Sequence, residues 1–277
     1  MRLVTFAADG GTGVGVLREG GIAPAPFADM LDLIRGGDAA LASIRGAARA
    51  GPLMRGARVL APIPRPRKLL FCGINYRSHQ QEDPGAKLPV EPFFFSKLPS
   101  AVIGPGEPIV VPSPASQVDP EVELAVVIGR RSRSLDEASA LDAVFGYTLV
   151  NDVSARDVQF KDAQITLGKG FDTFCPMGPS LVTRDEIPDP SRLRLTCTVN
   201  GEVRQNEGTA GMLFAVARLL AILTQHITLD PGDVVSTGTP AGVGLFRTPP
   251  IFLRPGDRVT VSCPSIGELT NPVVGRW

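Results

Sequence analysis

The sequence predicts a β-rich α+β fold in two parts, and three features of its patterning carry that reading. From Leu69 onward, short apolar runs alternate with Pro- and Gly-rich turns, the spacing of a β domain and not of alternating βαβ units. Helical periodicity is confined to a few stretches, the clearest being Met212–Thr224, where Leu213, Val216, Leu219, Leu220 and Leu223 recur on one face. Finally, Pro62, Pro64 and Pro66 force an extended segment. That segment divides a small N-terminal α+β domain, residues 1–65, from a larger one, residues 66–277. A chain of 277 residues has room for one core domain with such an appendage.

In chain order, Leu3–Phe6 and Val14–Leu17 read as strands around a glycine-rich turn at 9–13. Its glycines do not make G-x-G-x-x-G and no helical pattern follows, so a hairpin is expected, not a nucleotide loop. Phe27–Ile34 and Ala39–Ala50 are helical in composition. Beyond the prolines, strands are expected at Leu69–Cys72, Phe93–Ser96, Ile109–Val111, Val122–Ile128, Val144–Val150, Leu193–Val199, Val234–Ser236 and Arg258–Ser262. A helix is expected over Ser134–Leu141 as well as over Met212–Thr224.

Composition excludes several classes of function. Lys plus Arg and Asp plus Glu both number 28, so no basic field exists to hold nucleic acid or an anionic membrane surface. No apolar run approaches the ~20 residues of a membrane-spanning helix. The N-terminus has no signal-peptide pattern, so a cytoplasmic location is expected. The four cysteines form no C-x-x-C pair and read as buried reduced thiols, without a zinc site or disulfide framework. Only two histidines, His79 and His226, are available as a general base. His226 follows the Met212–Thr224 helix, where contact with the helix C-terminus is its expected role.

Three constellations carry chemistry. In Asp119-Pro120-Glu121-Val122-Glu123-Leu124, the two glutamates of a strand point to one face. Side by side they repel unless a cation or proton lies between them, which suits a hard, oxygen-loving metal ion. The alternative is a strand end with both side chains in water. Asp152, in Val150-Asn151-Asp152-Val153, stands where a strand gives way to a turn. It is either a helix cap or a third carboxylate in a Glu-Glu-Asp set that favours Mg²⁺ or Mn²⁺ over Zn²⁺. In Tyr76-Arg77-Ser78-His79-Gln80-Gln81-Glu82, a helical turn would bring His79 and Glu82 together as an imidazole with its orienting carboxylate. The alternative is an exposed pair. Lys169, between Gly168 and Gly170, can lie close to a ligand. The loop Thr237-Gly238-Thr239-Pro240-Ala241-Gly242-Val243-Gly244 can offer backbone N–H groups and the Thr239 hydroxyl to a carboxylate, and it lacks the lysine of a phosphate-binding loop.

Taken together, the segments around Gly73–Glu82, Phe93–Lys97, Pro120–Gly129, Asn151–Gln159, Gly168–Pro176 and Pro231–Gly244 resemble the fumarylacetoacetate hydrolase family, in that family's order, across residues 69–277. The resemblance implies a mixed β-sandwich or β-roll, usually homodimeric. It implies Mg²⁺ or Mn²⁺, with Ca²⁺ a further candidate, held by Glu121, Glu123 and Asp152. His79 and Glu82 would activate water, on a segment that orders as a lid. Lys169 would neutralise negative charge developing near the metal. Gln159, Thr173, Gly238 and Thr239 fall at substrate-side positions, and Lys97 matches a lysine near the pocket mouth. Many relatives carry an aromatic residue shortly before the lysine of Gly168-Lys169. Residues 162–167 have none, so the substrate pocket is expected to differ.

The expected activity is hydrolysis of a C–C bond in an acylpyruvate or 2,4-dioxo acid, a fumarylpyruvate- or fumarylacetoacetate-like substrate of aromatic catabolism. The intact dyad tilts the reading that way. Alternatives within the family are 2-oxo acid decarboxylation, as of oxaloacetate, tautomerisation, isomerisation of a dienedioate, and hydration. A non-catalytic binding protein on the same fold is a second alternative, opposed by the retained carboxylates, dyad and lysine.

Overall fold

The computed structural model describes residues 1–8, 10–82, 87–113, 115–161 and 164–275. The N-terminal part contributes strands β1 (Arg2–Ala8), β2 (Gly11–Arg18) and β3 (Gly21–Ala25), helix α1 (Met30–Ala50) and strand β4 (Arg58–Leu60). Next come β5 (Leu69–Gly73), the short helix α2 (Arg77–Glu82), β6 (Phe93–Ser96), β7 (Val102–Ile103), β8 (Ile109–Val110) and β9 (Val118–Asp119). The central stretch supplies β10 (Val122–Ile128), β11 (Val144–Asn151), β12 (Ser154–Ala155), the one-turn helices α3 (Arg156–Gln159) and α4 (Thr166–Lys169), and β13 (Cys175–Thr183). The chain closes with β14 (Arg194–Val199), β15 (Glu202–Gly208), α5 (Val216–His226), β16 (Val234–Ser236), β17 (Arg258–Cys263) and β18 (Gly267–Val274).

Among the described residues, eleven strands form one mixed sheet along the path β3-β2-β1-β13-β11-β10-β16-β5-β6, with β4 and β7 paired off it. A second sheet runs β15-β14-β17-β18-β8. Every residue of β10 is buried, because the sheet is covered on both faces. Val122, Leu124, Val126 and Ile128 pack toward Leu195, Cys197, Val261 and Leu269 of the second sheet. Ala125 and Val127, on the opposite face, share a core with Leu33, Ile34 and Ile44 of α1. Residues 1–65 are tied into the sheet through β1, which pairs with β13 at Leu3 and Leu181.

Some elements differ from the sequence expectation. Ser134–Leu141 is a turn that ends in a 3₁₀ segment at Ala140–Ala143, not an α-helix. The Asp136 carboxylate accepts from the backbone and the hydroxyl of Ser139, at 2.8 and 2.6 Å, and this local bonding competes with the helical pattern. The two N-terminal helices are one element, broken at Gly37, whose φ is +54°. It starts at Met30, where the Asp29 carboxylate accepts the N–H of Asp32 at 2.7 Å. The leucine-rich helix begins at Val216, four residues later than its apolar pattern does. Besides the short strands β3, β4, β7, β9 and β12, the longer β13, β15 and β18 are not expected from the sequence. Pro176 and Pro179 interrupt β13, Pro272 interrupts β18, and β15 is largely polar. All four cysteines are free and buried, as expected. No helix among the described residues is long and apolar enough to cross a membrane.

Candidate active site

The site assembles where three chain segments meet at the end of the central sheet. Antiparallel pairing of β10 with β11 sets Val122 opposite Asn151 and Glu123 opposite Val150. The N–H of Asp152 donates to the carbonyl of Glu121 at 2.8 Å, so the residue just past β11 lies beside the start of β10. Ligand oxygens of Glu121, Glu123 and Asp152 all lie within 4.8 Å of one another, and all three side chains are buried. Asp152 caps no helix: α3 starts at Arg156, with Ala155 at its cap position.

Buried cations hold these carboxylates. Lys169 Nζ donates to Glu121 Oε2 at 2.7 Å and to Asp152 Oδ2 at 2.5 Å. Lys97 Nζ donates to Asp152 Oδ1 at 2.6 Å and to the carbonyls of Val153 and Phe174. Arg156 joins Asp119, at 3.0 Å, to Glu121, at 2.5 Å. Glu123 instead accepts from the Ser236 hydroxyl, at 2.5 Å, and from the N–H of Gly238, at 3.0 Å. Burial works to raise the Glu121 carboxyl, but Arg156 and then Lys169 outweigh it and hold it below the usual carboxylate range. No cation bonds Glu123 among the described residues. Burial, and then the charges of Asp152 and Glu121, push it well above that range.

The dyad forms as the i, i+3 spacing requires. His79 Nδ1 meets Glu82 Oε2 at 2.9 Å on α2. The chain turns from β5 into α2 through Ile74, a β-branched residue at φ +52°, a conformation that persists only where its surroundings hold it. Asn75 does so: it donates to the carbonyls of Phe214 and Thr237 and accepts from the N–H of Phe214. Gly238, at φ +92°, closes the other side, since a Cβ there would stand 2.7 Å from that of Asn75.

A cavity of about 150 Å³ lies over the triad, with Glu121, Glu123, Asp152, Lys169 and His79 in its walls. Of the expected substrate contacts, Gln159 and Thr239 also line it. The other three stand behind the lining. Lys97 is not at the mouth; its ammonium is buried against Asp152. The Thr173 hydroxyl accepts from the N–H of Val110, and the N–H of Gly238 is directed to Glu123. The Thr239 hydroxyl donates to the carbonyl of Val122 at 2.9 Å. His226 ends α5, away from the cavity. Of the aromatic-free stretch, Asp162 and Ala163 lie outside the described residues, and Ile165 lines the cavity. The ring beside Lys169 comes from elsewhere in the chain: Phe95 of β6 has its centroid 5.0 Å from Nζ.

Sequence reasoning missed Arg156 and Asp119. Both stand inside quoted motifs, but only the β9–β12 pairing, Ser154 opposite Asp119, reveals their partnership. In all, four buried carboxylates (Asp119, Glu121, Glu123, Asp152) face three buried cations (Lys97, Arg156, Lys169), so with every carboxylate ionised one negative charge is left over among the described residues. An all-carboxylate set with excess negative charge and an open cavity side fits a hard divalent cation. Burial, and then the Glu123 charge, push the ionisation of the Cys72 thiol in the wall up.

Comparison with known proteins agrees with this architecture. The model of the C-terminal domain of fumarylacetoacetate (FAA) hydrolase matches residues 68–274. A mitochondrial oxaloacetate tautomerase of Bos taurus is 42% identical over 289 residues, covering 99% of this chain and 92% of the relative. A 5-carboxymethyl-2-hydroxymuconate delta-isomerase from Mycobacterium smegmatis superposes with a TM-score of 0.82 at 38% identity, over the whole of both chains. Maleylpyruvate hydrolase from Sphingobium sp. SYK-6, solved with manganese(II) and pyruvate, gives 0.84 at 32% identity, again over both whole chains. The fold and the carboxylate site are those of an enzyme with a candidate divalent-metal centre. The chain belongs to the fumarylacetoacetate hydrolase family.

Proposed function

We propose that this protein is a divalent-metal-dependent enzyme that interconverts the keto and enol forms of a small 2-oxo dicarboxylate of the oxaloacetate class. The observation that carries the reading is the buried Glu121–Glu123–Asp152 triad opening on a cavity of about 150 Å³. Such a space is well below the ~300–1,000 Å³ typical of drug-sized ligand pockets, and so suits a short acid. The full-length relative at 42% identity, an oxaloacetate tautomerase by name, turns the choice among enolate chemistries toward tautomerisation and away from hydrolysis.

Mg²⁺ or Mn²⁺ held by Glu121, Glu123 and Asp152 would supply Lewis acidity to the 2-oxo oxygen. The chain's own residues do the rest. Keto–enol exchange moves one proton between the carbon beside the ketone and the ketone oxygen, so a base must reach that carbon. His79 serves: Glu82 engages Nδ1 and leaves Nε2 to exchange the proton. Lys169, buried between Glu121 and Asp152, holds positive charge where the enolate oxygen develops. Ile74, Phe93, Phe95 and Ile165 give the cavity an apolar wall.

Hydrolysis of an acylpyruvate is the second reading, favoured by the same dyad and by the hydrolase neighbour solved with manganese and pyruvate. Decay of the enol absorbance of oxaloacetate with Mg²⁺, compared with chelated protein, tests the first reading. Product analysis on a panel of acylpyruvates tests the second. Acceleration of the oxaloacetate exchange without acylpyruvate cleavage is the expected result; the reverse pattern overturns it. A homodimer formed through the β-rich part is proposed as well, and a strictly monomeric mass in light scattering at micromolar concentration refutes it.

A further inference from the structure

Helix α2 carries the dyad yet has no buried residue, and the His79 ring meets Phe246 edge-on, with centroids 5.9 Å apart. The polar contacts of the helix are specific. Ser78 and Glu82, at i and i+4, share a face. That face meets two successive N–H groups of the 237–244 loop: Ala241 N donates to Ser78 Oγ at 3.2 Å, and Gly242 N donates to Glu82 Oε1 at 2.8 Å. Gly242 stands at φ +109°, and a Cβ there would lie 2.0 Å from the carbonyl oxygen of Arg204, so only glycine brings that N–H so close. On its donor side the Ser78 hydroxyl gives its proton to the carboxylate of Glu207, near the end of β15. The carboxylate is seated against Gly211, where a Cβ would stand 2.2 Å from Oε1. Ser78 is thereby used as donor and acceptor at once, which fixes the direction of both bonds.

We propose that Glu207 is a positioning residue: through the Ser78 hydroxyl it holds α2 in the seat from which His79 faces the carboxylate triad. Neither Glu207 nor Ser78 is in the cavity lining. An O–H···O⁻ bond is about twice as strong as its neutral counterpart, which gives a carboxylate an advantage over an amide or hydroxyl at this position. The inference rests on the proton-transfer role of His79 proposed above.

The experiment compares the full chain with its Ser78→Ala, Glu207→Ala, Glu207→Gln and Ser78→Ala/Glu207→Ala variants. Hydrogen exchange of the α2 amides, without substrate, reads the latch directly. Turnover at saturating Mg²⁺ reads its consequence, and Mg²⁺ affinity serves as the control. Both alanine variants should exchange α2 amides faster and lose about tenfold in kcat, the order expected for one charge-assisted hydrogen bond, with Mg²⁺ affinity unchanged. Glu207→Gln should fall between, and the double variant should be no worse than either single one. Unchanged α2 exchange, additive losses in the double variant, or a parallel loss of Mg²⁺ affinity overturns the proposal. Faster exchange with unchanged turnover would sustain the latch and overturn the role of His79 instead.

Discussion

The ammonium of Lys169 lies 2.5 Å from Oδ2 of Asp152, with both side chains almost wholly out of water. The same nitrogen reaches Glu121 at 2.7 Å. Removing it would leave two buried carboxylates facing each other and Glu123. Lys169→Met should therefore lower stability by about 3–5 kcal/mol without metal, the usual cost of breaking a buried ion pair from one side. Added Mg²⁺ should recover part of that loss, because a ligand bound only to the native state stabilises it by mass action. Denaturant titrations with Mg²⁺ and with chelator measure both; a loss of equal size in the two conditions would contradict the shared electrostatics of lysine and metal.

Glu123 is the member of the triad that no cation bonds among the described residues. Glu123→Ala should abolish Mg²⁺ binding and activity while the circular dichroism of the fold is kept. Glu123→Gln retains an acceptor for Ser236 and Gly238 and removes only the charge. Since burial and two neighbouring carboxylates disfavour that charge, the Gln variant should match or exceed the metal-free wild type in stability at neutral pH. Calorimetric Mg²⁺ titration and thermal melts decide; full activity after exhaustive chelation, or in Glu123→Ala, would sink the metal assignment.

His79→Ala should lower kcat by ~10²-fold or more, the range of a lost general base. Mg²⁺ affinity should barely move, because the imidazole is no ligand in this arrangement. Glu82→Gln should cost less, since the amide still orients His79 while failing to stabilise its protonated form. Steady-state kinetics of oxaloacetate exchange on the three proteins provide the test. An unimpaired His79→Ala enzyme would remove the dyad from the chemistry.

Lys68 ties the start of β5 to the turn before β16, donating to Asp233 at 2.7 Å and Asp230 at 3.0 Å. Burial alone would lower its ionisation, but its hydrogen bonds to the two aspartates and their charge prevail and raise it above the ordinary 10.5. A group raised in the folded state stabilises fully below its unfolded value and stops doing so as pH rises through the folded one. Lys68→Met should thus cost about 1 kcal/mol, a constant amount between pH 7 and pH 10, for a pair open to solvent on the lysine side. The difference from wild type should shrink above pH 10.5. A gap that widens with alkalinity would show the sign to be wrong.

Much of this is legible in the sequence. The β-branched run Val122–Ile128 announced a strand, and a period of two put Glu121 and Glu123 on one face. The spacing of three between His79 and Glu82 foretold their contact. The strand Cys175–Thr183 was invisible because Pro176 and Pro179 break the local signal, although tertiary packing places it between β1 and β11 in the main sheet. The Ser134–Leu141 segment misled in the opposite direction: good helical composition lost to the side chain of Asp136.

Local pattern thus determined which side chains are candidates for the proposed chemistry: carboxylates in alternation on a strand, an imidazole one helical turn from its partner, a lysine flanked by glycines. These follow from periodicities of two and 3.6 that operate within a few residues. Only the tertiary structure decided how they meet. The β10–β11 register brings Asp152 beside Glu121 across 31 positions of sequence, and the β9–β12 bridge puts Arg156 between Asp119 and Glu121. It also buried Lys97 behind Asp152, where a motif alone set it at the mouth, and stationed Glu207 under the helix of the dyad. Strand register and the burial of charge depend on the whole sheet closing over its core, so no local window of the sequence contains them.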